Sequence, residues 1–232
     1  MTAAERWSAH YATSTSAGGQ RPLYPTEWVV RTLAGGRYPQ LQLDRSRYAG
    51  AYALDMGCGD GRNLGLLLDL GFEVHACEIA PAMVEALRER TGAWPRPVQL
   101  AVGRSDALPY PDARFDLMLC SSSCYYLEGA MTWPAVRAEL ARVLKPGALL
   151  VANFPDERND VLRNAVRQGD GSLLITGDPF GIRNGTRFMA AAEPSALPAL
   201  LAPEFELIAT GHLDDDYYGL RVSGCLSVSR RD

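Results

Sequence analysis

LDMGCGDGRN, residues 54–63, places three glycines within five positions, immediately after the apolar run AYALDM (51–56) and directly before the leucine-rich LGLLLDL (64–70). Apolar run, glycine turn and helical pattern in that order make the first strand–turn–helix of a parallel α/β sheet, where such sheets hold ligands outside the carboxyl ends of their strands. Gly57 and Gly59 permit backbone conformations and a close approach that a Cβ would block, and Gly61 lets the helix start tight against the strand. The nicotinamide and flavin fingerprint GxGxxG requires a small residue at 62. Arg62 stands there and the third glycine comes at 61, which weakens a dinucleotide reading.

Outward from this turn, β-rich runs alternate with helical patterns, as in successive βαβ units. FEVHACEI (72–79), PVQLAV (97–102), FDLMLCS (115–121) and ALLVANF (148–154) read as strands, and PAMVEALRER (81–90) as a helix with proline in its first turn. Trp133, Val136, Leu140, Val143 and Leu144 recur at helical spacing before KPG stops the run. Residues 155–193 are less regular: the pattern allows a helix over 159–168 and a hairpin from SLLIT to TRFMAA across GDPFGIRNG. ALPALL (196–201) reads as a short helix, and FELIATGHL (205–213) and RVSGCLSVS (221–229) as two final strands. With no repeat or low-complexity linker, one domain over 1–232 is the economical reading. Its parts are a helical N-terminal segment (1–50) lying as a lid, a ligand-binding half (51–154), a substrate-side insertion (155–193) and C-terminal strands (194–232). Within the first part, PTEWVVRTL (25–33) carries a helix-starting Thr26 and a face of Trp28, Val29 and Leu33.

Composition excludes several classes. The chain is 47% hydrophobic and 22% charged, which is ordinary for a globular protein. No apolar run approaches the ~20 residues that cross a bilayer, and the opening MTAAERWSAHYATST lacks an uninterrupted apolar stretch, so a soluble cytoplasmic protein without membrane contact is expected. The formal charge of −4 and singly scattered arginines leave no basic stripe for nucleic acid. Five cysteines, mostly in apolar segments, read as core residues, and CSSSC (120–124) lacks the spacing and the companion ligands of a zinc site. DDDYY (214–218) reads as a solvated loop, because adjacent carboxylates cannot converge on one ion without chain reversal, and no metal is assigned. His75, alternating with Val74 inside a strand, reads as structural.

Two carboxylates point to a nucleoside. Glu78 lies at the end of the second strand, 21 residues after Gly57, where it can accept hydrogen bonds from both hydroxyls of a ribose. Asp106, in the loop after the third strand, can accept from an exocyclic amine such as adenine's. Asp60 reads as a cap on the following helix.

With LDMGCGDGRN, Glu78 in HACEIAPAMV, SDALPYPDARFDLMLC, and ELARVLKPGALLVANFP (139–155) in this order, the chain from about residue 51 onward resembles the class I S-adenosylmethionine-dependent methyltransferases. The resemblance implies a Rossmann-like α/β fold: seven strands in the order 3-2-1-4-5-7-6, strand 7 antiparallel, helices on both faces. It implies S-adenosyl-L-methionine as cofactor and a small-molecule acceptor. Asp55 and the turn, Gly57, Cys58 and Gly59, would meet the methionine end, Glu78 the ribose, and Asp106 with Ala107 the adenine. Ile79 and Met83 would pack on the adenosine, with Asn63, Cys120 and Ser121 as further cofactor contacts. Tyr125 and Tyr126, after the fourth strand, fall where relatives place residues that touch the transferring methyl and the acceptor.

Tyr11, Tyr24, Trp28 and Arg31 are expected to fold over the cofactor, and Arg183 or Arg187 of the insertion is placed to meet an acidic substrate. Methyl transfer is an in-line displacement that needs a base only when the acceptor is protonated, so His10, Tyr11, Tyr126 and His212 are the catalytic candidates. SSSCYY (121–126) stands where adenine and glutamine-amide methylases carry Asn/Asp-Pro-Pro-Tyr, which argues against that subfamily's chemistry. Three other readings stay open: a non-methylating user of S-adenosylmethionine (a cyclase, lyase or aminopropyl transferase), a binding protein without turnover, and, more distantly, a nicotinamide oxidoreductase.

Overall fold

A computed structural model describes residues 3–15, 23–36 and 38–232. Its centre is β1 (Tyr52–Met56), whose last four residues are all buried because both faces of the strand are covered. Alternate side chains go to opposite sides: Leu54 and Met56 join one apolar cluster, Ala53 the other. After β1 come α3 (Leu64–Asp69), β2 (Glu73–Glu78), α4 (Pro81–Thr91), β3 (Val98–Val102), β4 (Phe115–Cys120), α5 (Trp133–Val143) and β5 (Leu144–Pro155). A short α6 (Leu197–Leu201) precedes β6 (Phe205–Tyr217) and β7 (Leu220–Arg231), while α1 (Ala3–Thr15) and α2 (Glu27–Leu33) come before the sheet.

The seven strands lie in the order β3-β2-β1-β4-β5-β7-β6, and β7 runs antiparallel to both of its neighbours. The anticipated topology is therefore present. Asp55 sits opposite Ala76 of β2 and Leu119 of β4, at the carboxyl end of the central strand. On one face, Trp133, Val136, Leu140 and Val143 of α5 pack against β4 and β5. On the other, Leu64 and Leu67 of α3 are fully buried, each contributing roughly 1.5–3 kcal/mol, which fixes the start of the helix and hence the turn before it. No helix among the described residues is long and apolar enough to cross a membrane.

Several expectations need correction. Residues 1–50 are not a lid throughout: α2 buries Trp28, Val29 and Leu33 in the core beneath the sheet. Lys-Pro-Gly at 145–147 does not separate α5 from the next strand. β5 begins at Leu144, with Lys145 Nζ donating to the Asp116 carboxylate at 2.7 and 2.8 Å, Gly147 at φ +77°, and a register shift that absorbs the irregularity. The helix allowed over 159–168 is a single 3₁₀ turn, Asp160–Leu162. Asn159 caps it, and Asp160 accepts from the Arg221 amide of β7 at 2.8 Å, so local polar bonds outcompete helix propagation. The run 214–217 lies in β6 rather than in a loop, and the chain turns at Tyr218 and Gly219, both at positive φ.

The hairpin across 172–191 is present, with Leu173 opposite Phe188. It belongs to a second, four-stranded antiparallel sheet that also takes in Val166–Arg167 and Tyr126–Leu127. Because Tyr126 pairs with Phe188, the segment just after β4 is stitched to the insertion. His75 sits half-buried among Tyr52, Tyr110 and Phe115, as a structural histidine does. All five cysteines are free and buried.

Candidate functional site

A cavity of about 640 Å³ opens outside the carboxyl ends of β1, β2 and β4, floored by the glycine turn and roofed by α1 and residues 23–26. Gly57 (φ +67°) and Gly59 (φ +57°) need the left-handed region that a side chain disfavours. A Cβ on Gly57 would stand 2.5 Å from the Ser123 Cβ, and one on Gly59 2.7 Å from the Tyr11 hydroxyl. The bare backbone therefore sets how closely anything can approach.

Two buried carboxylates face this turn. Glu78, at the end of β2, accepts from the Gly59 amide at 3.0 Å and the Ile79 amide at 2.7 Å, while burial pushes its carboxyl above the usual range. A carboxylate has about four acceptor positions, and with the Ala80 amide also within reach at least one remains for a ligand. Asp55 is 1% exposed, and its Oδ2 is buried without a hydrogen-bond partner among the described residues. Burial first, then the charges of Glu78 and Asp60, push its carboxyl up to about 7. A buried acceptor left unpaired costs ~1–3 kcal/mol, so the wall at Asp55 suits a donor that the described residues do not supply.

The cavity gathers eleven of the residues anticipated from sequence: Asp55, Gly57, Cys58, Gly59, Asn63, Glu78, Ile79 and Ser121 from the turn and strand ends, with His10, Tyr11 and Tyr126. Asn63 has a further task, since its Oδ1 accepts from the Thr26 amide at 3.0 Å and so ties the 23–26 segment to the turn. Removing that acceptor in Asn63→Ala should cost about 1–2 kcal/mol, read as a melting temperature roughly 3–6 °C lower. S-adenosylhomocysteine affinity, read by calorimetry, should fall several-fold with it.

Five anticipated site residues lie elsewhere, and so do Trp28 and Arg31, which were expected over the cofactor but sit on a different cavity because α2 packs its apolar face into the core. Each Asp106 oxygen accepts one bond from the Arg104 guanidinium at 2.9 Å, Ala107 bridges to Arg104, and it is Gly103 and Ser105 that line the cavity on this side. Met83 packs inside α4 and Cys120 is fully buried behind Ser121. His212 is on a different cavity, lined also by Trp28 and Arg31, where its Nε2 meets the Asp156 carboxylate at 2.7 Å. The same Asp156 receives Ser223 and Arg158, which makes His212 part of a polar staple at the β6–β7 hairpin rather than a base. Asp60 receives the Arg62 amide and guanidinium instead of capping α3.

The structure adds residues that sequence reasoning passed over. Trp7 of α1 lies 5.7 Å from the Tyr126 ring centroid and 6.0 Å from that of Tyr11, so α1 presents an aromatic surface to the cavity. Glu128 is held by Arg6 at 3.3 Å, which fastens α1 to the segment after β4. Arg183 of the insertion lines the cavity and donates Nε to the Tyr126 hydroxyl at 3.0 Å, whereas Arg187 is spent on Asp170 and two backbone carbonyls. A tryptophan at helical spacing from His10 and Tyr11 was the available signal for Trp7. Nothing local marks Glu128. Among the described residues no group of three or more metal-ligating side chains converges.

Comparison with known proteins agrees with this geometry. Residues 54–152 match the family described as a methyltransferase domain. A malonyl-[acyl-carrier protein] O-methyltransferase of Halorhodospira halophila is 38% identical over 115 residues, covering 48% of this chain and 38% of the relative. The namesake from Serratia marcescens is 33% identical over 149 residues, covering 64% and 51%. The chain thus spans about half or less of the length of these relatives. Among solved structures, an S-adenosylmethionine-dependent methyltransferase from Methanosarcina mazei superimposes with a TM-score of 0.63 at 19% identity, over 84% of this chain and 98% of the other, which is a likeness of fold.

Proposed function

We propose that this chain, which belongs to the class I S-adenosylmethionine-dependent methyltransferases, transfers a methyl group to a small-molecule acceptor held beneath α1. The observation that carries the reading is Asp55 Oδ2, buried, unpartnered and beside Glu78 over a side-chain-free turn. An amino-acid ammonium would satisfy the first carboxylate and a ribose diol the second. The residues therefore fit the cofactor, whose sulfonium supplies a methyl that passes to an acceptor lone pair while the sulfur keeps the electrons of the broken bond.

The protein's own part is to bind, align and exclude water. Asp55 would hold the ammonium end and Glu78 the sugar, with Ile79, Gly103 and Ser105, which line the same cavity, beside the base. Trp7, Tyr11 and Tyr126 close the side from which the acceptor comes, so the reacting atoms meet in a dry, oriented site. Burial keeps the Tyr11 and Tyr126 hydroxyls protonated well above neutral pH, which makes them donors that position oxygen atoms rather than bases. Of the three histidines only His10 lines the cavity, and it takes the proton from an acceptor that carries one.

The relatives named above are O-methyltransferases, which makes oxygen acceptors the first class to test. Incubation with S-adenosylmethionine and a panel of small acids, phenols and amines should release S-adenosylhomocysteine with at least one of them. Consumption of the cofactor without that product would favour a non-methylating enzyme, and tight binding with no turnover across the panel a binding protein. Binding of NAD in preference to S-adenosylhomocysteine would overturn the reading.

A further inference from the structure

The acceptor end of the cavity is electrostatically committed in a way that narrows its ligand. Aromatic walls such as Trp7 and Tyr126 often receive cations on their faces. Here that place is taken, because the Arg183 guanidinium carbon lies 5.5 Å from the Trp7 ring centroid. The carboxylate nearby is neutralised as well, since Glu128 is held by Arg6 at 3.3 Å and by the Thr186 hydroxyl at 3.3 Å. An ammonium entering here meets no unpaired carboxylate among the described residues, and a guanidinium that is itself paired with the buried Asp178 at 3.2 Å.

Donors, by contrast, are left over. Arg183 uses Nε on the Tyr126 hydroxyl and Nη1 on the buried Asp178 carboxylate at 3.2 Å. Its Nη2 has no partner among the described residues and is not sealed from solvent, in a side chain that lines the cavity. The Tyr126 oxygen accepts from Arg183 and is hydrogen-bonded by the Tyr125 side chain as well, which leaves its own proton as the donor. That ring is fixed in place by stacking on Tyr125 at 5.0 Å and by Phe188 at 4.2 Å, which makes the hydroxyl a positioned donor.

We propose that the acceptor is a planar aromatic acid, its ring packed on the Trp7–Tyr11–Tyr126 surface and its carboxylate received by Arg183 Nη2 and the Tyr126 hydroxyl. This inference rests on the methyltransferase reading and names the substrate class of the same site. The carboxylate is the handle that orients the ring. An oxygen clamped by a guanidinium is a poor nucleophile, so the methylated atom is another group on the ring.

Calorimetry on protein saturated with S-adenosylhomocysteine tests it with four probes: 4-hydroxybenzoate, 4-hydroxybenzamide, tyramine and cyclohexanecarboxylate. The expected result is 4-hydroxybenzoate binding ~10-fold or more tighter than each of the other three, from one charge-assisted donor pair and one aromatic surface. Arg183→Met should abolish the preference for acid over amide while S-adenosylhomocysteine still binds. Its fold is supported because Asp178 keeps the backbone amides of Phe180 and Arg183 at 3.2 and 2.9 Å. Tyr126→Phe, which removes only a hydroxyl, should weaken the acid by roughly 5-fold. Tyramine binding as well as the acid, an acid preference that survives Arg183→Met, or no probe binding to protein that holds S-adenosylhomocysteine would overturn the proposal and leave the methyltransferase reading intact. Failure to bind S-adenosylhomocysteine itself would overturn both.

Discussion

Asp55→Asn is expected to give a protein that is more stable without ligand and binds S-adenosylhomocysteine about 50-fold more weakly at pH 8. Both effects come from one buried charge. Asp55 is sealed with an unpartnered oxygen, and burial with the neighbouring Glu78 and Asp60 raises its carboxyl to about 7. An unfolded aspartate titrates near ~3.9, so between about pH 4 and 7 the folded chain holds a proton that the unfolded chain has lost. That contribution to stability is fully present below the lower value and is lost as pH rises through the higher one. The ligand-free wild type should therefore melt at a lower temperature at pH 8 than at pH 5, and Asp55→Asn should lose Asp55's share of this dependence and keep that of Glu78.

The raised carboxyl sets an upper limit of roughly 4 kcal/mol at pH 8, and a gain of about 1–3 kcal/mol is expected once the amide's own unmet bonds are counted. Binding moves the other way: a charge-assisted bond to an ammonium is worth ~1.5–3 kcal/mol, and the neutral amide forfeits most of it. For the wild type the affinity should rise with pH up to about 7, as Asp55 ionises to receive the cation. Thermal scans and calorimetry at pH 5 and pH 8 check all three. A variant that gains no stability would show that Asp55 is paired in the folded protein.

Glu78→Ala should weaken cofactor binding by about 100-fold, from two lost charge-assisted bonds to the sugar. It should also destabilise the free protein by roughly 1–3 kcal/mol, because the Gly59 and Ile79 amides lose their acceptor. Glu78→Gln separates the two roles. Its carbonyl can still accept one of the backbone bonds and one ribose hydroxyl, so a loss near 10-fold is expected. Equal losses in both variants would mean that Glu78 acts only on the turn.

The cofactor half of the site was readable from sequence because it is local. Strand, turn and carboxylate lie within 27 residues, at fixed offsets along one βαβ unit. Asp106 shows the limit. Its place in the loop was legible, whereas the Arg104 guanidinium two residues away that pairs with both oxygens was not, because a short loop's internal bonds leave no periodic trace. On the acceptor side Tyr126 and Arg183 could be named from the sequence, but not what they bond to. Arg183 reaches Tyr126 across 57 residues and Arg6 reaches Glu128 across 122, through a small sheet whose strands are two residues long. His212 misled because its neighbour in sequence is the sheet, whereas its partner Asp156 lies 56 residues away.

The central claim is that a buried, unmatched carboxylate and a half-engaged one, set over a bare turn, form the seat of a sulfonium nucleoside. A crystal structure of the chain with S-adenosylhomocysteine tests it most directly. The account predicts the amino group within hydrogen-bond distance of Asp55 Oδ2 and both ribose hydroxyls on Glu78, with α1 packed over them. Density for the nucleoside outside this cavity, or inside it with Asp55 still lacking a donor, would contradict the account.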